Sequence, residues 1–425
     1  MTKKWKRRLI IATLIILSTV TLERTYNSRD EFQVTAMDAS DYEILEANLT
    51  TKEKLQDFEY LYDLLEKNYP FFKVNERLHG IDWLSNKRKY ERLIRNTKND
   101  AEFFVAMDRI LDDLNNGHVN IFNGGNYREF YKVYYLSYAK YNALRYLPWY
   151  EALTNPHVMN RYKFDGNIEC IELYQEAVLE TKVLIEDKLA YMKIKKMANF
   201  DVVEEDYFKI SKFLKDVEGY EKLIIDIRGN GGGYNVYWTN IVELLTDETL
   251  TAKYHVFFKD GHRNNLDVYK VRNLRVISEL DEETLNQFPH EVKDFDFYNT
   301  YSIRINPWNK SLDTSDLIDF NGKIYLLVDK GVFSASEKFA SFAKDSGFAT
   351  LVGETTGGDR VFEEIPLYFL YNSKFVIRYS RELGINADGT INMETKTTPH
   401  IYVDPTPHED FNKDECIQAV IKDNL

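Results

Sequence analysis

The chain has 425 residues, 44% hydrophobic and 14% aromatic, which is enough apolar material for one large core or for about two or three smaller ones. A formal net charge of −13 repels nucleic-acid phosphates, so no DNA or RNA partner is expected. Two cysteines, Cys170 and Cys416, are too few for a disulfide framework or a Cys-rich metal site, and whether they pair with each other is left open.

The N-terminus carries Lys3, Lys4, Lys6, Arg7 and Arg8, followed by the uncharged run Leu9 to Leu22. A cationic end before a short apolar stretch is a secretory pattern. Residues 1–22 are therefore expected to be a signal peptide or a membrane anchor. No small-x-small cleavage site precedes Glu23, and the run is short for a membrane span. The choice between cleavage and anchoring stays open. Either outcome places the protein outside the cytoplasm. Residues 23–45 are polar and read as a linker.

Residues 46–125 read as a helical domain. Thr50 and Glu53 fit a capping box, Leu55, Phe58, Leu61, Leu65 and Tyr69 follow at helical spacing, and Pro70 stops the run. A second helix starts after Asp100, carries Phe104, Met107, Leu111 and Leu114 on one face, and ends near Gly117. Residues 126–180 are rich in Tyr and Leu and are expected to be mainly helical.

From residue 181 the pattern changes to that of an α/β core running to residue 425. Residues 183–194 suggest a hairpin, and a helix follows around Glu204 to Val217. Leu223 to Ile227 is a short apolar run, as expected of a buried strand; it leads into Gly229-Asn230-Gly231-Gly232-Gly233 and then a helix from Val236. Lys323 to Val328 repeats the plan, with a turn at Gly331-Val332-Phe333-Ser334, a helix from Ser336 to Asp345 and a strand from Ala349 to Gly353. Two strand–turn–helix units in succession predict layered sheets and helices. Residues 260–320 read as a polar surface excursion.

Ser334 follows a strand and a tight turn at the start of a helix, where free amides and the helix dipole favour negative charge. A serine in this position is a plain helix cap or a nucleophile, and a nucleophile needs a base and two oxyanion donors. The amide of Ala335 is one candidate donor. Gly231 and Gly232, whose backbone can approach a substrate closely, supply the other. His118, at a helix-to-strand junction after Asn115-Asn116-Gly117, is the candidate base; the alternative is a helix cap or a satisfied polar group. The glycine loop lacks the Lys-Ser/Thr of a phosphate loop and the spacing of a dinucleotide site, and no His-Glu-x-x-His or paired-cysteine motif appears. No nucleotide or metal cofactor is expected. A Gly-x-Ser-x-Gly elbow is also missing.

Four segments in order resemble the C-terminal processing and tricorn-core family of serine peptidases. They are Leu114 to His118, Asp226 to Gly233, Ser334-Ala335-Ser336-Glu337, and Gly353 to Gly358. The resemblance implies a crotonase/ClpP-like layered β-β-α core with an N-terminal helical domain. It implies a serine-type endopeptidase or tail-specific peptidase that takes peptides or unfolded proteins and works through an acyl-enzyme. One branch of that family uses a serine–lysine dyad, with the lysine in the Gly-Glu-Thr-Thr segment. Asp359 stands at the matching place here, and Arg360 beside it stays protonated, so the dyad is disfavoured. In the tricorn-like branch a late glutamate supports the histidine, and the resemblance assigns that role to Glu394, although Pro399-His400 replaces the usual Pro-Asp. No PDZ pattern is found in residues 126–180, which are expected to shape the cleft instead. A non-catalytic binding protein on the same fold and an esterase are the alternatives. The sequence leaves oligomeric state and cleavage preference open.

Overall fold

The computed structural model describes residues 48–140, 146–174, 176–259, 261, 274–307, 318–361 and 364–423. The anchor or signal segment and the linker lie outside the described residues. Among the described residues no helix is long and apolar enough to cross a membrane.

Seven helices open the described chain: α1 Thr51–Asn68, α2 Phe72–His79, α3 Lys87–Arg95, α4 Asp100–Asp112, α5 Gly124–Tyr135, α6 Leu147–Leu153 and α7 Pro156–Arg161. The start of α1 is the capping box read from sequence: Thr50 accepts from the Glu53 amide, and the Glu53 carboxylate accepts from the Thr50 amide. Its buried face, Phe58, Leu61, Tyr62, Leu64 and Leu65, repeats at the helical period and packs into an aromatic core around Trp83 and Tyr90. Helix α4 stops at Asp112, sooner than the Gly117 expected from sequence, because positive φ at Asn115 turns the chain toward strand β1, Asn120–Ile121.

The core of the second half is a six-stranded sheet. Its strands are β2 Leu179–Ile185, β3 Leu189–Ile194, β4 Lys222–Asp226, β8 Lys323–Val328, β9 Thr350–Gly353 and β13 Ile401–Tyr402, in spatial order β13-β9-β8-β4-β3-β2. All neighbours are parallel except the β2–β3 hairpin. Parallel strands are covered on both faces, which is why β4 and β8 read as continuous apolar runs. One face is covered by α8 Phe200–Asp216, α9 Asn235–Leu245 and α10 Ala335–Ser346, with Trp238 stacked on Phe339; the other is covered by α11 Glu415–Lys422 through Cys416, Ile417 and Val420.

Of the expected surface excursion, residues 260, 262–273 and 308–317 lie outside the described residues, and the described part holds a regular strand. β5 Leu250–Phe258 pairs antiparallel over nine residues with β7 Phe297–Ile305, flanked by β6 Arg275–Val276 and β12 Glu382–Ile385. Exposed Thr300, Ser302 and Arg304 alternate with half-buried Tyr301 and Ile303 along β7, so a polar composition hid a half-exposed strand.

Packing ignores the break at residue 181. Strands β10 Leu367–Phe369 and β11 Val376–Arg378 join β1 in a small sheet, and Leu370, Phe375, Val376, Ile377 and Tyr379 belong to the same apolar core as the N-terminal helices. The register Asn120↔Arg378 and Ile121↔Ile377 clamps the segment after His118 onto the C-terminal half. Cys170 is exposed, Cys416 is buried, and both are free thiols.

Candidate active site

Two loops meet at the ends of the adjacent strands β4 and β8. The Asp329 carboxylate accepts from the amides of Gly229 (2.8 Å) and Gly331 (2.9 Å). Asn230 sits between the loops: its side-chain amide donates to the Ile194 carbonyl (2.8 Å), and its Oδ1 accepts from Ser336 Oγ (2.7 Å) and from the Gly232 amide (3.0 Å). Gly232 has φ +101°, and a Cβ there would lie 2.8 Å from the Ala335 nitrogen and 2.9 Å from Ser334 Cβ. Only glycine allows that approach. Next to this junction Arg228 forms a buried double pair with Asp226 (2.7 Å) and Asp414 (2.9 Å). The Asp-x-Arg part of the loop is therefore a brace to the C-terminal helix and does not face the cleft.

Ser334 has φ 57° and ψ −117°, an uncommon conformation for a residue with a side chain. Its carbonyl already accepts the first helical bond, from the Lys338 amide (2.9 Å), while its side chain caps nothing. The turn thus presents Oγ at the head of α10.

His118 reaches this hydroxyl from the N-terminal helical region. Its Nε2 lies 3.0 Å from Ser334 Oγ, and its Nδ1 lies 2.6 Å from Asp359 Oδ2. A carboxylate can only accept, so Nδ1 carries the hydrogen and Nε2 faces the serine with its lone pair. The imidazole is held from three further directions. Its own amide donates to Asn116 Oδ1 (2.8 Å), β1 fixes the backbone beyond it, and the Phe333 ring packs on it at 4.6 Å between centroids. Gly117 leaves room for that ring: a Cβ there would stand 3.0 Å from Phe333 Cζ. His118 and Asp359 are both nearly inaccessible to solvent, at 4% and 2% exposure.

Glu394 departs from the role expected of it. It lies in the single helical turn Asn392–Thr395, and its carboxylate pairs with Arg77 Nε at 2.6 Å, alongside Glu291. Residues two apart on a helical turn face opposite ways. Asn392 points inward, to Glu337 Oε1 (2.9 Å) and the Arg360 amide (2.9 Å), and this turns Glu394 out toward α2. Asp359, weighed from sequence only as a poor substitute for a lysine, occupies the place beside the imidazole. The one local signal was its position after Gly357-Gly358: it takes φ +55°, a left-handed conformation that Asp tolerates better than most residues. Glu337, the last residue of the serine motif, is fully buried; Thr397 Oγ1 (2.7 Å) and Asn392 fix it, and burial pushes its carboxyl upward from the usual range.

The expected oxyanion donors divide. The Gly232 amide is committed to Asn230, so it leaves that set. Among the described residues no acceptor takes the amides of Gly231 or Ala335. Both residues line a cleft of about 1300 Å³ together with His118 and Ser334. Phe130, Tyr134 and Trp149 from the 126–180 region form part of its wall, and Tyr207 and Phe208 of α8 line it as well. The Ser334 hydroxyl thus stands in this cleft with the His118 imidazole and the amides of Gly231 and Ala335.

Comparison with known proteins fits this geometry. A family model described as peptidase family S41 matches residues 188–403, and one described as the tricorn protease C1 domain matches residues 50–112. A search of curated proteins finds no match. Among solved structures, a presumed peptidase from Parabacteroides merdae is 18% identical, with a TM-score of 0.55, over 87% of this chain and 96% of that one. Mature CPAF complexed with lactacystin is 14% identical, with a TM-score of 0.52, over 83% of this chain and 94% of that one. At these identities the likeness is one of fold.

Proposed function

Because the chain belongs to peptidase family S41 and is a serine peptidase, we propose that Ser334 is its nucleophile, His118 its general base and Asp359 the carboxylate that orients the imidazole. The observation that carries this reading is the pair of contacts made by one ring, 3.0 Å to Ser334 Oγ and 2.6 Å to Asp359 Oδ2. His118 Nε2 takes the serine proton as Oγ attacks the scissile carbonyl. The amides of Gly231 and Ala335 receive the developing oxyanion. The imidazolium, stabilised by Asp359, then protonates the leaving amine, and water attacking along the same path releases the acyl group.

Substrates are peptides or proteins, and the open cleft favours extended or unfolded segments, tails included. The basic and apolar pattern of residues 3–22 supports action outside the cytoplasm, with the N-terminus as a signal or an anchor. Fractionation of cells expressing the full chain tests this: recovery of the protein only inside the cytoplasm rejects it.

The test of the site is direct. Ser334→Ala should abolish hydrolysis of an unfolded protein and labelling by a fluorophosphonate, with thermal unfolding unchanged. Undiminished cleavage by that variant overturns the assignment.

A further inference from the structure

Among the described residues that line the cleft are three cations that the proposed mechanism does not use, and they differ in their partners. Lys195, Lys196 and Arg378 all line it. Lys195 is paired with Glu176 (3.2 Å) and Lys196 with Glu129 (3.3 Å). Glu364, which also lines the cleft, accepts from Tyr134 Oη at 2.9 Å. For Arg378, no ion pair within 4 Å is found among the described residues. Its Nε is buried with no hydrogen-bond partner, and Nη2 makes a single long bond, 3.5 Å, to the Gly117 carbonyl. The guanidinium lies over the Phe130 ring, 4.9 Å from the centroid.

Its position is fixed by the fold. Arg378 ends β11, in register with Asn120 of β1, two residues beyond His118. The bond to Gly117 sets the cation next to the base and along the wall of the cleft that holds Ser334. Arg378 is half-buried, with Nε enclosed and the bond from Nη2 exposed, and the planar fork of a guanidinium is suited to a carboxylate. Burial pushes the Arg378 pKa down, and the neighbouring Tyr134, Glu364, Asp359 and Glu129 only partly offset that.

We propose that Arg378 is a specificity residue that binds a carboxylate of the substrate beside the scissile bond, forming a charge-assisted pair inside the cleft. The proposal deepens the peptidase reading and rests on it. The carboxylate comes either from an acidic side chain or from a free C-terminus.

A peptide series of one neutral sequence separates these sources. It carries Glu or Gln at successive positions, each peptide made as the C-terminal acid and as the amide, with affinity measured on the inactive Ser334→Ala protein. One Glu position, or the free acid, should bind about 10–100-fold tighter than its neutral counterpart. In Ser334→Ala/Arg378→Gln that ratio should fall below about threefold, with Arg378→Lys in between. A preference that survives Arg378→Gln, or none at any position, overturns the proposal. Should Arg378→Gln fail to fold, the Lys variant decides: equal weakening of acid and neutral peptides marks a structural role and overturns it. Because affinity is read without turnover, failure of the Ser334 assignment shows separately, as cleavage that persists in Ser334→Ala.

Discussion

His118 and Asp359, separated by 241 residues in sequence, are joined by a 2.6 Å hydrogen bond that is buried on both sides. The bond fixes which ring nitrogen carries the hydrogen and leaves the other facing Ser334. A family-like arrangement with Glu394 in that role would have needed the turn at Asn392 to face the opposite way.

Asp359→Asn should therefore lower kcat on the order of 10⁴-fold, because an amide can donate to Nδ1 and stabilise the wrong tautomer. Asn keeps the left-handed backbone that Asp359 adopts, so the fold should survive. Glu394→Gln should change kcat less than about threefold, since it alters a partly exposed ion pair with Arg77. Single-turnover rates for the two variants check this; equal losses would return Glu394 to the site.

Gly117→Ala places a methyl 3.0 Å from the Phe333 ring, which packs on His118 and precedes Ser334. A shift of the ring or imidazole should lower kcat about 10–100-fold with little change in stability. Phe333→Leu should recover part of that loss in the double variant. A double-mutant cycle that shows strict additivity would mean the ring does not transmit the displacement.

The glycine at the end of β9 tests sheet geometry instead of chemistry. Gly353 has φ +132°, and a Cβ there would sit 2.0 Å from the Val328 carbonyl of the neighbouring strand. Gly353→Ala should cost at least about 2 kcal/mol and lower Tm by several degrees. Gly219→Ala, with open space around it, should fall within about 0.5 kcal/mol of the parent. Matching thermal melts for the two variants would contradict the described approach of β8 and β9.

How much of this was legible in the chain follows from the range of each interaction. The capping box at Thr50 and the apolar runs of β4 and β8 are local signals, and each appears where the sequence places it. The proximity of Ser334, His118 and the glycine loop was readable through motif order alone, since no local pattern encodes contact across 216 residues. The contact of Asp359 with His118 was not legible because it depends on a left-handed turn and a strand pairing, β1 with β11, that two and three residues per strand cannot announce. Glu394 sat in a matching segment, but the facing of a four-residue turn is decided by which of its side chains finds a buried partner, and Asn392 found Glu337. The strand β7 was hidden by its polar outer face. Arg378 carries no motif, and it became visible only when the other cleft cations were found already matched.

Asp108 supplies a prediction on pH and stability, remote from the active site. It lies half-buried on α4, one turn before Asp112, and burial followed by that neighbouring charge pushes its carboxyl up to about 6. The unfolded value is about 3.9. A group raised in the folded state contributes stability that is fully present below the unfolded value and is lost as pH rises through the folded one. The loss for Asp108 therefore spans the window from about pH 4 to pH 6, and above it the ionised carboxylate is a net burden on the helix. After solvent screening the burden is on the order of 1 kcal/mol. Asp108→Asn removes the charge and keeps the shape, so its Tm should exceed the parent's at pH 8, and the gap should close at pH 4. Melting curves across that range check the sign: a variant less stable at pH 8 and equal at pH 4 would show that the ionised Asp108 is held by a favourable partner, reversing the assignment.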